Sequence, residues 1–303
     1  MAAPGHLPPA LWKVLDSGLL SIMLLIGAML GCTVTPFQSV FIINALAGAI
    51  AIVAFSGGQW NRIRPRYWAL HVKRGLLGVV STVCLFYAVR HLDLAEVTAI
   101  GFLTPALTSL ISVHLLGEPW HRQDMVVLAS SLAGVGLILA PSIRPEHLVE
   151  ARDALLGVGL AMGSVLALVA YNVNLKAIGE KETVVAQMVC GPIASAVILF
   201  PAAIFFWAPV PAHSLAAIVS YALLLVVKLA ARFWAFRGAR LTAIMPLEYS
   251  QLIFSAILGY LFLGEPIHLL SGIGMALLAA TNILHITRCS RIPQPALREG
   301  KHT

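Results

Sequence analysis

The chain has 303 residues, of which 59% are hydrophobic and only 11% charged, with a mean hydropathy of +0.89 and a net charge of +7. Soluble domains carry about 25% charged residues, so this composition excludes an ordinary soluble protein. The basic residues lie between apolar runs and in short tails, which excludes a nucleic-acid-binding face and points to topology in a bilayer.

A membrane-spanning helix needs about 20 apolar residues. Ten runs meet that need: 14–34, 37–56, 69–89, 94–116, 123–141, 154–176, 184–207, 213–236, 241–263 and 268–287. The first is too long for the apolar core of a cleaved signal peptide and is expected to remain as a helix. Pro105 in the fourth run and Pro192 and Pro201 in the seventh either mark bends, tolerated where neighbouring helices satisfy the freed carbonyl, or only shape the packing. The four cysteines, Cys32, Cys84, Cys190 and Cys289, form no C-x-x-C pair and read as small apolar fillers. No phosphate-binding loop, dinucleotide glycine pattern or H-E-x-x-H occurs, so no cofactor, metal or catalytic residue is expected.

One stretch occurs twice. Phe86-Tyr-Ala-Val-Arg90, Leu94, Leu116-Gly-Glu-Pro119 and His121 reappear as Phe233-Trp-Ala-Phe-Arg237, Leu241, Leu263-Gly-Glu-Pro266 and His268, all at an offset of 147. A duplicated helical unit in a strongly apolar chain is the architecture of a secondary transporter. The Lys and Arg residues of alternate loops set the orientation. With the N-terminus inside, the cytoplasmic side collects Lys13, Arg62, Arg64, Arg66, Arg122, Lys176, Lys181, Arg237, Arg240, Arg288, Arg291, Arg298 and Lys301, and the outer side only Arg90, Arg144 and Arg152. Both termini are therefore expected in the cytoplasm. Five helices per repeat is an odd number, so the two copies must be inverted in the membrane. The expected fold is all-α and integral to the membrane, with ten transmembrane helices in two inverted five-helix repeats, 14–141 and 154–287, and a cytoplasmic basic tail, 288–303.

Lys228 and Arg232 are the sharpest chemical signal. Eight residues from the end of the eighth run, Lys228 lies roughly 12 Å deep at 1.5 Å per residue, and the i, i+4 spacing puts both side chains on one face. A charge at such depth costs about 2.5–3.5 kcal/mol on insertion scales. Lys228 should face a cavity or pair with an acid, and Glu248 in the ninth run is the expected partner. The pair is either a structural ion pair or a pocket whose cation binds a substrate carboxylate or phosphate. Arg232 either shares that role or reaches back to the headgroups. Glu248 and Glu96 are the titratable groups that would serve as proton sites. Tyr87 and Trp234, related by the repeat offset, and Tyr249 either stack on a planar substrate or pack between helices. Asn172, with Tyr171 and Asn174, lines the cavity or bonds a neighbouring helix. Arg74 reads as an interface anchor, and Gly117-Glu118 and Gly264-Glu265 as caps or hinges.

Leu92-Asp-Leu-Ala95 leading to Thr104-Pro105, then Leu116-Gly-Glu118 and Gly134-Val-Gly136, resembles the EamA-type module of the drug/metabolite transporter superfamily. Ala243-Ile-Met-Pro-Leu-Glu-Tyr249, leading to Gly259-Tyr-Leu-Phe-Leu-Gly-Glu265, resembles the same module. The resemblance runs from about 14 to 287. It implies ten helices, an inverted five-plus-five repeat, a central substrate cavity and alternating access in the inner membrane. The Pro-Leu-Glu-Tyr stretch looks most like the bacterial carriers suggested to move riboflavin, S-adenosylmethionine or amino-acid-like metabolites. Relatives have small or weakly polar residues where this chain has Lys228 and Arg232. The implied function is a secondary carrier of a small organic metabolite, partnered by lipid and substrate but not nucleic acid, as monomer or homodimer. Its substrate is either anionic or amino-acid-like, or a neutral or cationic compound. A membrane-embedded enzyme would need a convergent nucleophile or metal set; a scaffold or sensor would need neither a deep lysine nor paired repeats.

Overall fold

The computed structural model describes residues 7–30, 35–55, 63–88, 90–92, 94–119, 121–139, 151–179, 181–264 and 269–289. Apolar surroundings leave backbone polar groups no partner but one another, and the chain is helical, with no strand among the described residues. In chain order the helices are α1 (Pro9–Leu30), α2 (Pro36–Phe55), α3 (Trp68–Ala88), α4 (Leu94–Gly101), α5 (Leu103–Leu116), α6 (Arg122–Leu139), α7 (Ala151–Gly179), α8 (Val184–Phe205), α9 (Ala212–Gly238), α10 (Leu241–Ile244), α11 (Ser250–Leu258) and α12 (Leu269–Cys289). A 3₁₀ turn (Met245–Tyr249) joins α10 to α11, and a π-helical turn (Gly259–Leu263) follows. Taking α4–α5 and α10–α11 as interrupted single rods, the described residues form ten rods. Seven of them are long and apolar enough to cross a membrane: α1, α2, α7, α8, α9, the α10–α11 rod and α12. This is a multi-pass membrane protein.

The interruptions follow from proline. A helical proline clashes with the carbonyl four residues back and donates no N–H. Pro105 acts in this way on Gly101, and the fourth rod breaks at Phe102. Pro246 opens the 3₁₀ turn of the ninth rod. Pro192 and Pro201, by contrast, lie inside one uninterrupted helix, α8. The first helix also begins earlier than its apolar run, at Pro9 rather than 14, because Lys13 and Asp16 neutralise each other within it.

Four helix pairings dominate the packing: α3 on α7, α1 on α9, α2 on α8 and α6 on α12. The 147-residue offset exchanges the first two and maps each of the others onto itself. Phe102 and Tyr249, also 147 apart, touch each other, with ring centroids 6.0 Å apart and the Tyr249 hydroxyl donating to the Phe102 carbonyl at 3.0 Å. Gly117 and Gly264, again 147 apart, end α5 and the π turn with φ of 65° and 68°. Only glycine takes that conformation without steric penalty.

Glu118, expected as a local cap, reaches further. Its carboxylate accepts the backbone N–H groups of Leu241 (2.8 Å) and Thr242 (3.0 Å) and the Ser112 hydroxyl (3.2 Å). It thereby caps α10, in the other half of the chain. Glu265 lies outside the described residues.

Candidate functional site

Five ionisable side chains converge between α1, α9 and the 3₁₀ turn. Lys13 and Asp16 stand at i, i+3 near the start of α1, so they share a face. Lys228, Arg232 and Phe236 stand at i, i+4, i+8 on α9, the helix packed along α1. Glu248 comes from the 3₁₀ turn, whose tighter winding carries it out of the α-helical register. Exposure is 0% for Lys13 and Asp16, 7% for Lys228, 6% for Arg232 and 8% for Glu248.

Asp16 is the hub. Lys13 Nζ lies 2.8 Å from Oδ2, Arg232 Nε 3.1 Å from Oδ1 and 3.0 Å from Oδ2, and Lys228 Nζ 3.5 Å from Oδ1. Glu248 closes a ring: Oε1 accepts from Arg232 Nη2 at 3.4 Å, and Oε2 lies 3.2 Å from Lys13 Nζ, off axis for a hydrogen bond. The Phe236 ring lies under both Lys13 Nζ (5.6 Å to its centroid) and the Arg232 guanidinium (6.0 Å), a cation–π floor. Ser17 and Ser21 hold α1 in register by donating to the carbonyls of Leu247 (3.5 Å) and Gln251 (3.0 Å). Among the described residues the cluster contains three cations and two carboxylates, a buried excess of one positive charge.

Of the residues singled out from the sequence, Lys228, Arg232 and Glu248 are brought together. The pairing inside the group differs from expectation: the Lys228 ammonium meets Asp16, and Glu248 meets Lys13 and Arg232. The reason is geometric, since α1 presents Asp16 directly to the charged face of α9. Lys13 and Asp16 were not foreseen as site residues. The available signal was arithmetic: two deep cations against one glutamate demand a second carboxylate, and a Lys-x-x-Asp at the head of the first apolar run supplies it.

The other candidates are placed elsewhere. Tyr249 is buried against Phe102. Trp234 packs edge-on to Phe233, with centroids 5.5 Å apart, in an apolar cluster with α2 and α8. Tyr87 is exposed near the C-terminal end of α3, its ring 5.4 Å from the Arg90 guanidinium carbon. The side chain of Glu96 lies outside the described residues. Asn172 is 1% exposed, and neither of its amide atoms has a hydrogen-bond partner among the described residues. It lies one turn before Lys176, which donates to the Phe236 and Ala239 carbonyls at the end of α9. Thr104 and Thr108, one turn apart on α5, are also buried, with hydroxyls unpartnered among the described residues. Buried polar groups are normally satisfied, so such atoms are available to a guest. Arg74 is not an interface anchor. It is buried, donating from Nη2 to the Gln187 carbonyl at 2.7 Å beside the Tyr171 ring. Gly191 makes the room: a Cβ there would fall 1.3 Å from Nη2.

The α1–α9 crossing holds these charges, but its counterpart does not. Shifting Lys228, Arg232, Asp16 and Glu248 by 147 gives Ser81, Leu85, Gly163 and Gly101. There, Ser81 and Ser164 share a hydrogen bond at 3.1 Å.

Residues 9–140 match the EamA-like transporter family. This stretch is similar to an EamA-type transporter module. The S-adenosylmethionine uptake transporter of Rickettsia bellii is 28% identical over 68% of this chain and 68% of its own length. The pseudopaline exporter CntI of Pseudomonas aeruginosa is 25% identical over 63% of this chain and 66% of its own. A probable transport protein of Saccharomyces cerevisiae is 24% identical over 40% of this chain. The chain spans 38% of the yeast protein, less than two thirds of that relative's length. A solved crystal structure shares the fold, with a TM-score of 0.78 at 19% identity, over 94% of this chain and 99% of the other. Of the charged cluster, Lys13 and Asp16 lie within the matched stretch, whereas Lys228, Arg232 and Glu248 come from the second half.

Proposed function

We propose that the chain is a secondary carrier of a small, carboxylate-bearing organic metabolite, amino-acid-like in chemistry, working by alternating access in the inner membrane. Residues 14–141 and 154–287 would be the two inverted repeats, 288–303 a cytoplasmic tail, and both termini cytoplasmic. The exchange of helix pairings under one offset, and the contact between Phe102 and its counterpart Tyr249, support a two-fold relation between the halves.

The observation that carries the reading is the buried excess cation, held at a crossing between the first and second halves. A protein retains such a charge at depth only with a partner or a wet cavity. An anion arriving between the halves would complete the pairing. Lys228 is its first contact, Arg232 the second, and the unpartnered Asn172 amide is available to a polar group of the same guest. A pocket of this kind suits a zwitterion as well as an anion. The relatives named as S-adenosylmethionine transporters favour one second reading, a cationic metabolite. That compound also carries an amino-acid carboxylate, so the same cluster would seat it.

Counterflow in proteoliposomes tests this. Purified protein loaded with unlabelled amino acids, S-adenosylmethionine or organic acids should accumulate the matching labelled compound, and Lys228→Met should abolish it. Normal counterflow by Lys228→Met would remove the anion-binding role. Absence of counterflow with every carboxylated compound would remove the substrate class.

A further inference from the structure

Asp16 fills a position shaped for a ligand. Two of the three cations around it, Lys228 and Arg232, stand on α9, and Asp16 comes from α1, in the other half of the chain. Lys228 has no other ion pair among the described residues, and Arg232 otherwise keeps only Glu248 at 3.4 Å. Removing the Asp16 carboxylate would leave a vacancy for two oxygens, flanked by an ammonium and a guanidinium. That is a carboxylate receptor. Asp16 and a substrate carboxylate cannot hold it together. The counterpart crossing, built on Ser81 and Ser164, has no such arrangement among the described residues, so a plain helix crossing in this fold does not require one.

We propose that Asp16 is a tethered anion: in the empty carrier it occupies the place that the carboxylate of the substrate takes when α1 draws away from α9. This rests on the carboxylate-carrier reading above and deepens it by assigning that carboxylate its place in the cluster. Two consequences follow. The empty carrier closes without stranding bare cations in a dry interface, which would be strongly unfavourable. Substrate and α1 compete for the same two side chains, so loading and opening of this crossing are one event.

The test uses the full chain and a minimal probe, acetate, at ionic strength matched with chloride. Asp16→Asn alone raises the cation excess to two and is strongly destabilised, so the informative protein is Lys13→Met/Asp16→Asn. That variant leaves Lys228 and Arg232 against Glu248, the same excess of one as the wild type. Acetate should raise its melting temperature saturably, as ligand linkage requires, while leaving the wild type unmoved. Adding Lys228→Met should cancel the response. Equal responses in wild type and double variant, or none in either, would overturn the proposal. A response to inorganic phosphate without one to acetate would overturn the carboxylate assignment. Wild-type counterflow is scored separately: a carrier that exchanges a carboxylated metabolite while the double variant ignores acetate sinks the tethered anion and leaves the transport reading standing.

Discussion

Asp16→Asn should be the most damaging single substitution in the buried cluster, and Lys228→Met among the mildest. The wild-type set has Lys13, Lys228 and Arg232 against Asp16 and Glu248. Asp16→Asn removes the hub and leaves three cations against one carboxylate. Breaking a buried pair by deleting one partner costs about 3–5 kcal/mol, roughly a hundred-fold to several-thousand-fold in the folding equilibrium. Lys228→Met deletes the cation held most loosely, at 3.5 Å, and leaves two against two. Replacing buried charge with an apolar side chain of similar length is often neutral or stabilising, so this variant should melt within about 1 kcal/mol of wild type or above it. Lys13→Met/Asp16→Asn, with its excess restored to one, should fall between. Thermal unfolding in detergent, followed by circular dichroism, orders the three. If Asp16→Asn melts with the wild type, or Lys228→Met melts as early as Asp16→Asn, charge balance is not what holds the cluster.

Glu118→Ala should destabilise by about 1–3 kcal/mol, because two buried N–H groups of α10 lose their acceptor; the same melt measures it. Gly191→Ala should displace the Arg74 guanidinium, whose Nη2 a Cβ would meet at 1.3 Å, and lower stability by about 1–3 kcal/mol; a wild-type melting curve would remove that account of Arg74. Asn172→Leu removes an amide with no partner, so stability should hold or rise while the concentration for half-maximal counterflow increases; unchanged transport would make Asn172 a packing residue.

The rods were legible in the sequence because apolar length is nearly sufficient to specify a helix in lipid. The interruptions were less so: proline marks Pro105 and Pro192 alike, yet only the former breaks its helix, since the outcome depends on what neighbours offer the freed carbonyl. In α4–α5 the carbonyl freed by Pro105 is that of Gly101, and its neighbour at the break, the Phe102 carbonyl, accepts the Tyr249 hydroxyl, a partner 147 residues away. Lys228 and Arg232 stood out because charge is conspicuous inside an apolar run. Lys13 and Asp16 did not, because they sit where a run begins, and a lysine there looks like a loop residue. Burial by α9 changes its meaning, and no local pattern encodes that neighbour. Glu118 hid similarly, as its bonds lie across the molecule at Leu241 and Thr242.

The odd number of charges in the cluster has an electrical consequence. If the α1–α9 crossing shifts across the membrane field during the cycle, an empty carrier moves one uncompensated positive charge. A unit charge crossing the full field gains or loses about 2.3 kcal/mol per 100 mV. A bound monoanion cancels that charge, so the loaded passage is blind to voltage and the empty return is not. A cell that is negative inside would hold the vacant protein with its cluster drawn toward the cytoplasm, favouring exchange of one metabolite for another over net flow. An imposed potassium diffusion potential should then alter net efflux of a monoanion from vesicles and leave its one-for-one exchange unchanged.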